Sequence, residues 1–166
     1  MKFGHAWFAS VAIALILLQG SVRAAELQDA RSGTYSVRDY GAVGDGKTDE
    51  TAAFQKALDA AAQGGQVVAT GRGNFFFAGH LNVPPGVTLQ GLWQSVPAHP
   101  GIRDRGLPAP TDDGTTLLVT ENAGRGNGPP FIMLNTNSTL HGVVIYYPNQ
   151  KSDDVPAPYP YAIAMR

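Results

Sequence analysis

The sequence predicts an all-β body closed at its N-terminal end by a single α-helix, and three observations carry that expectation. Phe54, Ala57, Leu58 and Ala61 fall at i, i+3, i+4 and i+7, which gives one narrow apolar stripe on one helix. Beyond Gly64 the apolar residues come in runs of only a few, punctuated by Gly, Pro and Asn. A weak repeat threads those runs: Gly86-Val-Thr88-Leu89, Gly114-Thr-Thr116-Leu117 and Asn137-Ser-Thr139-Leu140. The first and last members continue alike, as Gln90-Gly91-Leu92 and His141-Gly142-Val143. Unequal spacing within the range of solenoid coils implies stacked coils with loops inserted between them. A helix with one buried face suits a lid over such a stack.

Taken in order, the chain begins with a segment of secretory form. Lys2 supplies a positive end, Ala6–Leu18 an apolar centre, and Val22-Arg23-Ala24 small residues at a cleavage site after Ala24 or Ala25. That apolar run falls short of the ~18–20 residues a spanning helix needs, so no stable membrane insertion is expected after cleavage. The expected setting is secreted or periplasmic. With no cysteine in the chain, neither a disulfide framework nor a lipoprotein anchor is available. Charged residues make up 15% and the net charge is −1, so no nucleic-acid partner is expected.

Glu26–Gly33 is polar and reads as loose. Tyr35–Tyr40 alternates with period two, as a half-buried strand would. Gly41–Thr48 reads as a turn, and Thr48 or Asp49 as the helix cap, with Asp49 and Glu50 set at its positive end. Gly64-Gly65 stops the helix. Short strands are expected at Val67–Ala69, Phe75–Phe77, His80–Val83, Val87–Leu89, Leu117–Val119, Phe131–Leu134, Val143–Ile145 and Ala162–Ala164. No Asn-Gly hairpin separates them, which disfavours an up-and-down antiparallel sheet. Trp93–Gly114 and Asn149–Pro160 interrupt the rhythm with Pro, Gly and charge, and long loops of this kind are where ligand contacts concentrate.

Gly41-Ala-Val-Gly44-Asp-Gly46-Lys47-Thr48 also matches the phosphate-loop pattern GxxxxGKT, the signature of an NTPase. The chemistry argues against it. Asp45 lies inside the loop, Asp49 and Glu50 crowd the place of the phosphates, and no alternating β-α units follow to build a nucleotide-binding sheet. The structural reading is preferred: the glycines supply positive φ and the aspartates organise the helix start.

The same stretch, Asp39-Tyr-Gly-Ala-Val-Gly-Asp-Gly-Lys-Thr-Asp-Glu-Thr51 with Ala53-Phe-Gln-Lys-Ala-Leu58, resembles the opening of the pectate lyase-like superfamily. Gly65-Gln-Val-Val-Ala69, Gly73-Asn-Phe75 and Pro85-Gly-Val-Thr-Leu-Gln-Gly91 follow in that family's order, although Ala69-Thr-Gly71 replaces its usual proline-containing turn. The group includes polygalacturonases, rhamnogalacturonases, exo-glucanases and phage tail spikes. The resemblance implies a right-handed parallel β-helix with an N-terminal capping α-helix, the motif belonging to the cap: Gly41, Gly44, Asp45, Gly46, Asp49, Phe54 and Leu58. Residues 1–24 are read as signal peptide and 25–36 as a flexible segment, and the resemblance implies 37–166 as the N-terminal part of a β-helix domain. Tyr161–Met165 reads as a fresh strand with no closing element after it, so the domain is expected to be truncated.

Polysaccharide is the partner the resemblance implies, by glycosidic cleavage or by non-catalytic binding as in an adhesin or tail spike. Hydrolases of the family use paired aspartates with a histidine; its lyases use calcium-binding aspartates and a basic residue. Neither set is legible here, so catalytic residues are expected beyond Arg166, and calcium enters only if the protein is a lyase. Asp112-Asp113 and Asp153-Asp154 are adjacent carboxylates, but sequence adjacency does not set the ~5–9.5 Å separation that a hydrolase needs. His80, His99 and His141 lack metal-ligand spacing. Candidate substrate contacts are Arg103, Arg105 and Lys151, as partners for uronate carboxylates, and Tyr146 and Tyr147 as stacking surfaces. Tyr159, Tyr161 and Trp93 extend that aromatic set. Asn137-Ser-Thr139 fits a glycosylation sequon, meaningful only in a eukaryotic secretory route.

Overall fold

The computed structural model describes residues 33–62, 67–94, 114–151 and 154–166. The secretory segment, the Gly64-Gly65 helix stop and most of the Trp93–Gly114 loop lie outside these residues. The described strands form three sheets in which every pairing is parallel. The first holds β1 (Thr34–Ser36), β3 (Val67–Ala69), β6 (Thr88–Gln90) and β9 (Thr139–His141). The second holds β2 (Asp45–Asp49), β4 (Gly73–Phe77), β7 (Thr115–Val119) and β10 (Val144–Tyr146). The third holds β5 (Leu81–Val83), β8 (Ile132–Leu134) and β11 (Ile163–Met165). The chain visits the three sheets in turn on each pass, so β3–β4–β5, β6–β7–β8 and β9–β10–β11 are successive coils of a right-handed parallel β-helix.

The helix α1 (Thr51–Ala61) follows β1 and β2, and so stands where the first coil would otherwise place a strand of the third sheet. Its side chains do that strand's work. Gln55 accepts the Asn82 amide at 2.9 Å and donates to the Asn82 carbonyl at 3.0 Å, satisfying the free edge of β5. On the inner side Phe54, Ala57, Leu58 and Ala61 are fully buried. The Phe54 ring meets Phe75 and Phe77 edge-on, at 5.1 and 4.9 Å between centroids. One helix thus closes both the core and the sheet edge.

Two expectations need correction here. The strand read over Tyr35–Tyr40 ends at Ser36, and Val37–Tyr40 is a 3-10 turn. Ser36 Oγ accepts the Arg38 amide and Gly41 closes the turn at φ 101°, a local hydrogen-bonding alternative to extension. The stretch Asp45–Asp49, read as turn, is a strand with an irregular register against β4. Its side chains are exposed or half-buried, so no apolar alternation marked it.

The weak repeat is correct at its ends only. Thr88, Leu89 and Gln90 stand in register with Thr139, Leu140 and His141 in the first sheet. Thr116 belongs to the second sheet, between Asn74 and Val144. Beside the true repeat, Gly91 and Gly142 stack so closely that a Cβ on either would strike the other's backbone. At the corner where the family's proline is replaced, Thr70 is buried and its hydroxyl meets Thr115 Oγ1 at 2.9 Å.

Candidate functional site

Two regions of the molecule concentrate polar and aromatic groups. The first is the glycine-rich turn. Glu50, almost wholly buried, turns back from the residue before α1 and takes the amides of Val43 and Gly44 at 2.9 and 2.7 Å. Asp45 Oδ1 takes the amides of Lys47 and Thr48, both at 2.8 Å. The amides that would cradle a phosphate are therefore already occupied by the chain's own carboxylates, and the fold is no nucleotide fold. Glu50 holds the cap position without capping, whereas Asp49 Oδ1 reaches the Thr51 amide at 3.1 Å, the Thr51 hydroxyl at 2.6 Å and the Ala78 amide at 3.2 Å. The Thr48 and Lys47 amides lower the Asp45 pKa. For Asp49, burial pushes upward but is outweighed by the bonds from Thr51 and Ala78, so its pKa is also lowered. Arg38 completes the turn: its guanidinium donates to the carbonyls of Val43 and Arg72 and lies 5.2 Å from the Phe75 ring centre.

The second region is a small, shallow cleft, partly open to solvent. It is walled by His80, by Glu121, Asn122 and Pro129 in the excursion after β7, and by Tyr147 and Tyr159–Tyr161 after β10. The excursions are tied together: Gly124 donates to the Pro158 carbonyl at 2.9 Å, and Phe131 to that of Tyr161 at 3.2 Å. Gln150 further braces the second loop by bonding both the amide and the carbonyl of Ala157. Phe131 roots the floor in the core against Phe77, 5.2 Å away.

Tyr147 and Tyr159 lie in the cleft with ring centres 4.5 Å apart, and Tyr161 stands at its rim, 82% exposed. Burial, then the neighbouring Tyr159, raises the Tyr147 pKa. His80 Nδ1 lies 3.0 Å from the Pro130 carbonyl, which can only accept, so this nitrogen carries the proton. Nε2 faces Glu121 Oε1 at 3.7 Å. The Tyr159 hydroxyl oxygen is buried and has no hydrogen-bond partner among the described residues, an omission that costs a folded chain ~1–3 kcal/mol.

Of the residues singled out from sequence, the structure gathers Tyr147, Tyr159, Tyr161 and His80 at this cleft. Tyr146, the next residue back, is an exposed end residue of β10 and does not line it. Trp93 does not line it either: its indole N–H donates to the Thr115 carbonyl at 3.1 Å, and its ring fills the space above Gly114. Lys151 lies 4.0 Å from Asp154, both well exposed. Arg103, Arg105, His99, Asp112, Asp113 and Asp153 lie outside the described residues. Sequence reasoning missed Glu121, Asn122 and the whole 120–131 excursion, although Glu121–Pro130 is a Gly-, Asn- and Pro-rich run of the usual loop type. Among the described residues no three acidic or imidazole groups are placed together to hold a metal ion. No described helix is long and apolar enough to cross a membrane.

Comparison with known proteins bears on the first of these regions. The family model described as Rhamnogalacturonase A/epimerase, pectate lyase-like, matches residues 34–107. No curated protein sequence matches the chain. Among solved structures, the Streptococcus pneumoniae surface protein and adhesin PfbA is 22% identical over 79% of this chain and 32% of its own, with a TM-score of 0.48. The A-modules of the Azotobacter vinelandii mannuronan C-5 epimerases AlgE6 and AlgE4 are 20% and 21% identical. Each covers 80% of this chain; the match takes in 40% and 41% of those modules, with TM-scores of 0.41 and 0.38. The chain therefore spans well under half the length of these structures.

Proposed function

We propose, from the premise that this chain is a pectate lyase-like β-helix protein, that it forms the cap and first coils of a carbohydrate-active protein. The observation that carries this reading is the match over residues 34–107, which coincides with the capping helix and the coils it closes. In the longer protein the proposed activity is glycosidic cleavage of pectin-like or related polysaccharide, outside the cell or in the periplasm. The described residues supply the scaffold for that chemistry rather than the chemistry itself. Among the described residues Glu121 is the one acidic side chain lining the cleft, and none of them places a second carboxylate across it as glycoside hydrolysis requires. A second reading is a β-helix that binds glycans without cleaving them.

Product analysis of the full-length protein on pectin, with and without calcium, separates these readings. An unsaturated product marks elimination, new reducing ends without unsaturation mark hydrolysis, and retention without product marks a binder. Residues 25–166 alone are expected to release nothing from pectin or β-glucan. Cleavage by that segment would overturn the assignment of its role as scaffold.

A further inference from the structure

We infer that Asn127, in the exposed excursion between β7 and β8, is a self-modification site that deamidates and isomerises its own backbone. The inference rests on the loop geometry alone and stands apart from the carbohydrate reading. The reaction needs an asparagine side chain free to bend back, and a following backbone amide free to attack it. A hydrogen bond on either group opposes the step, and a side chain on the next residue obstructs it.

The described asparagines divide by those requirements. Asn122, Asn137 and Asn149 are each followed by an amide that is already committed. Ala123 donates to the Thr120 carbonyl at 3.2 Å, Ser138 to that of Asn135 at 3.0 Å, and Gln150 to that of Tyr147 at 3.0 Å. Asn74 and Asn82 lie inside β4 and β5, where ladder pairing fixes the backbone. Asn135 is held by its own side chain, which donates to Asn82 Oδ1 at 2.9 Å and to the Val83 carbonyl at 2.7 Å. Asn127 differs on every count. It is exposed, and among the described residues neither it nor Gly128 has a hydrogen-bond partner. The attacking residue is glycine, which brings no Cβ into the way and bends freely.

The step balances with water as its only co-reactant. The Gly128 nitrogen bonds to Asn127 Cγ, and its proton leaves with the side-chain nitrogen as ammonia, closing a five-membered imide. Water then opens the ring at one of two carbon–nitrogen bonds. Cleavage at Cγ leaves aspartate. Cleavage at the main-chain carbonyl leaves isoaspartate, with one extra carbon in the backbone and a free carboxylate beside it.

The second product has a structural consequence. Gly126 and Gly128 lie against prolines of the excursion after β10: a Cβ on each would stand 3.7 Å from Pro158 Cβ and 3.4 Å from Pro160 Cγ. Gly124 fastens the same seam by donating to the Pro158 carbonyl at 2.9 Å. Extra backbone between Gly126 and Gly128 displaces at least one of these contacts, so isoaspartate at this position loosens the seam.

The test incubates the whole chain in mildly alkaline buffer beside a sample kept cold and slightly acidic. A gain of one mass unit is expected in the alkaline sample, mapped by peptide sequencing to Asn127, with isoaspartate detected there by enzymatic methylation. Its rate should exceed that at Asn137 or Asn149 about tenfold, the factor that one committed hydrogen bond on the attacking amide is worth. Asn127→Ser, an exposed change whose fold is checked by circular dichroism, should abolish the gain. In the isoaspartate form the Gly124 amide should exchange its hydrogen several-fold faster than in the parent. Asn127→Asp, which carries the charge without the added carbon, should exchange like the parent. No gain in the alkaline sample overturns the inference, as do equal rates at Asn127, Asn137 and Asn149. Gly124 exchange that is unchanged in the isoaspartate form, or as fast in Asn127→Asp, overturns the loosening of the seam by added backbone. None of these outcomes touches the carbohydrate reading, which product analysis decides separately.

Discussion

The cap and the cleft use similar residues to opposite ends. In the cap, Asp45, Asp49 and Glu50 each take at least two donors at hydrogen-bonding distance, and Phe54 is sealed between two rings. In the cleft, a carboxylate stands one-third exposed, a tyrosine lies mostly in solvent, and a buried hydroxyl has no partner. A site whose polar groups are mutually satisfied has nothing left to offer a ligand, and that is what a structural cap requires. A site with unsatisfied groups on a braced frame is where binding costs least. The glycine-rich turn matches a ligand-binding pattern letter for letter and binds only its own chain.

The largest effect should come from breaking the sealed region. Phe54→Ala removes a fully buried ring from between Phe75 and Phe77, and is expected to cost about 3–5 kcal/mol. Chemical denaturation checks this as a lower midpoint at unchanged slope. A loss below about 1 kcal/mol would mean that the helix is dispensable to the coils beneath it.

Next comes Glu50→Ala, which leaves the part-buried turn amides of Val43 and Gly44 without their acceptor and should cost about 1–3 kcal/mol. Glu50→Gln keeps an accepting oxygen and should recover roughly half of that. Equal losses for the two would show that packing volume, not the two amide bonds, is what Glu50 provides.

The cap should also govern the acid limb. Asp45 and Asp49 have folded pKa values below the ordinary 3.8, so the unfolded chain takes up their protons first as pH falls. Their stabilisation is complete above the ordinary carboxylate range and disappears as pH drops through the lowered values. Asp45→Asn/Asp49→Asn together should reduce stability at neutral pH and flatten its decline below about pH 4. A double variant whose stability falls as steeply with acid as the parent's would place the sensitive carboxylates elsewhere.

How much of this was legible in the sequence follows the same division. The stripe of Phe54, Ala57, Leu58 and Ala61 gave the helix because burial on one face imposes a period. The short apolar runs gave most of the strands for the same reason. β2 was hidden because Asp45–Asp49 pairs through its backbone alone and buries no apolar set. The false middle member of the repeat, Thr116, arose because Thr-Leu fits any strand with one face inward, whichever sheet it joins. At the cleft, Tyr147 could be named but Tyr146 could not be told from it, since adjacent residues differ only in the direction the backbone gives them. Glu121 was invisible: its place beside His80 depends on how two excursions fold together, and no local pattern encodes that.

The smallest effect should come from the unsatisfied hydroxyl, and it is the sharpest test of the comparison. Tyr159→Phe deletes the orphan oxygen and keeps the ring that packs against Tyr147. In the cap, deleting a polar group strands its donors. Here no protein group among those described loses a partner, so the change is expected to be neutral or stabilising by up to about 1 kcal/mol. Thermal and chemical unfolding measure it directly. A loss above 1 kcal/mol would mean that the hydroxyl is satisfied in solution, by water if by nothing else, and that the cleft is as fully paired as the cap.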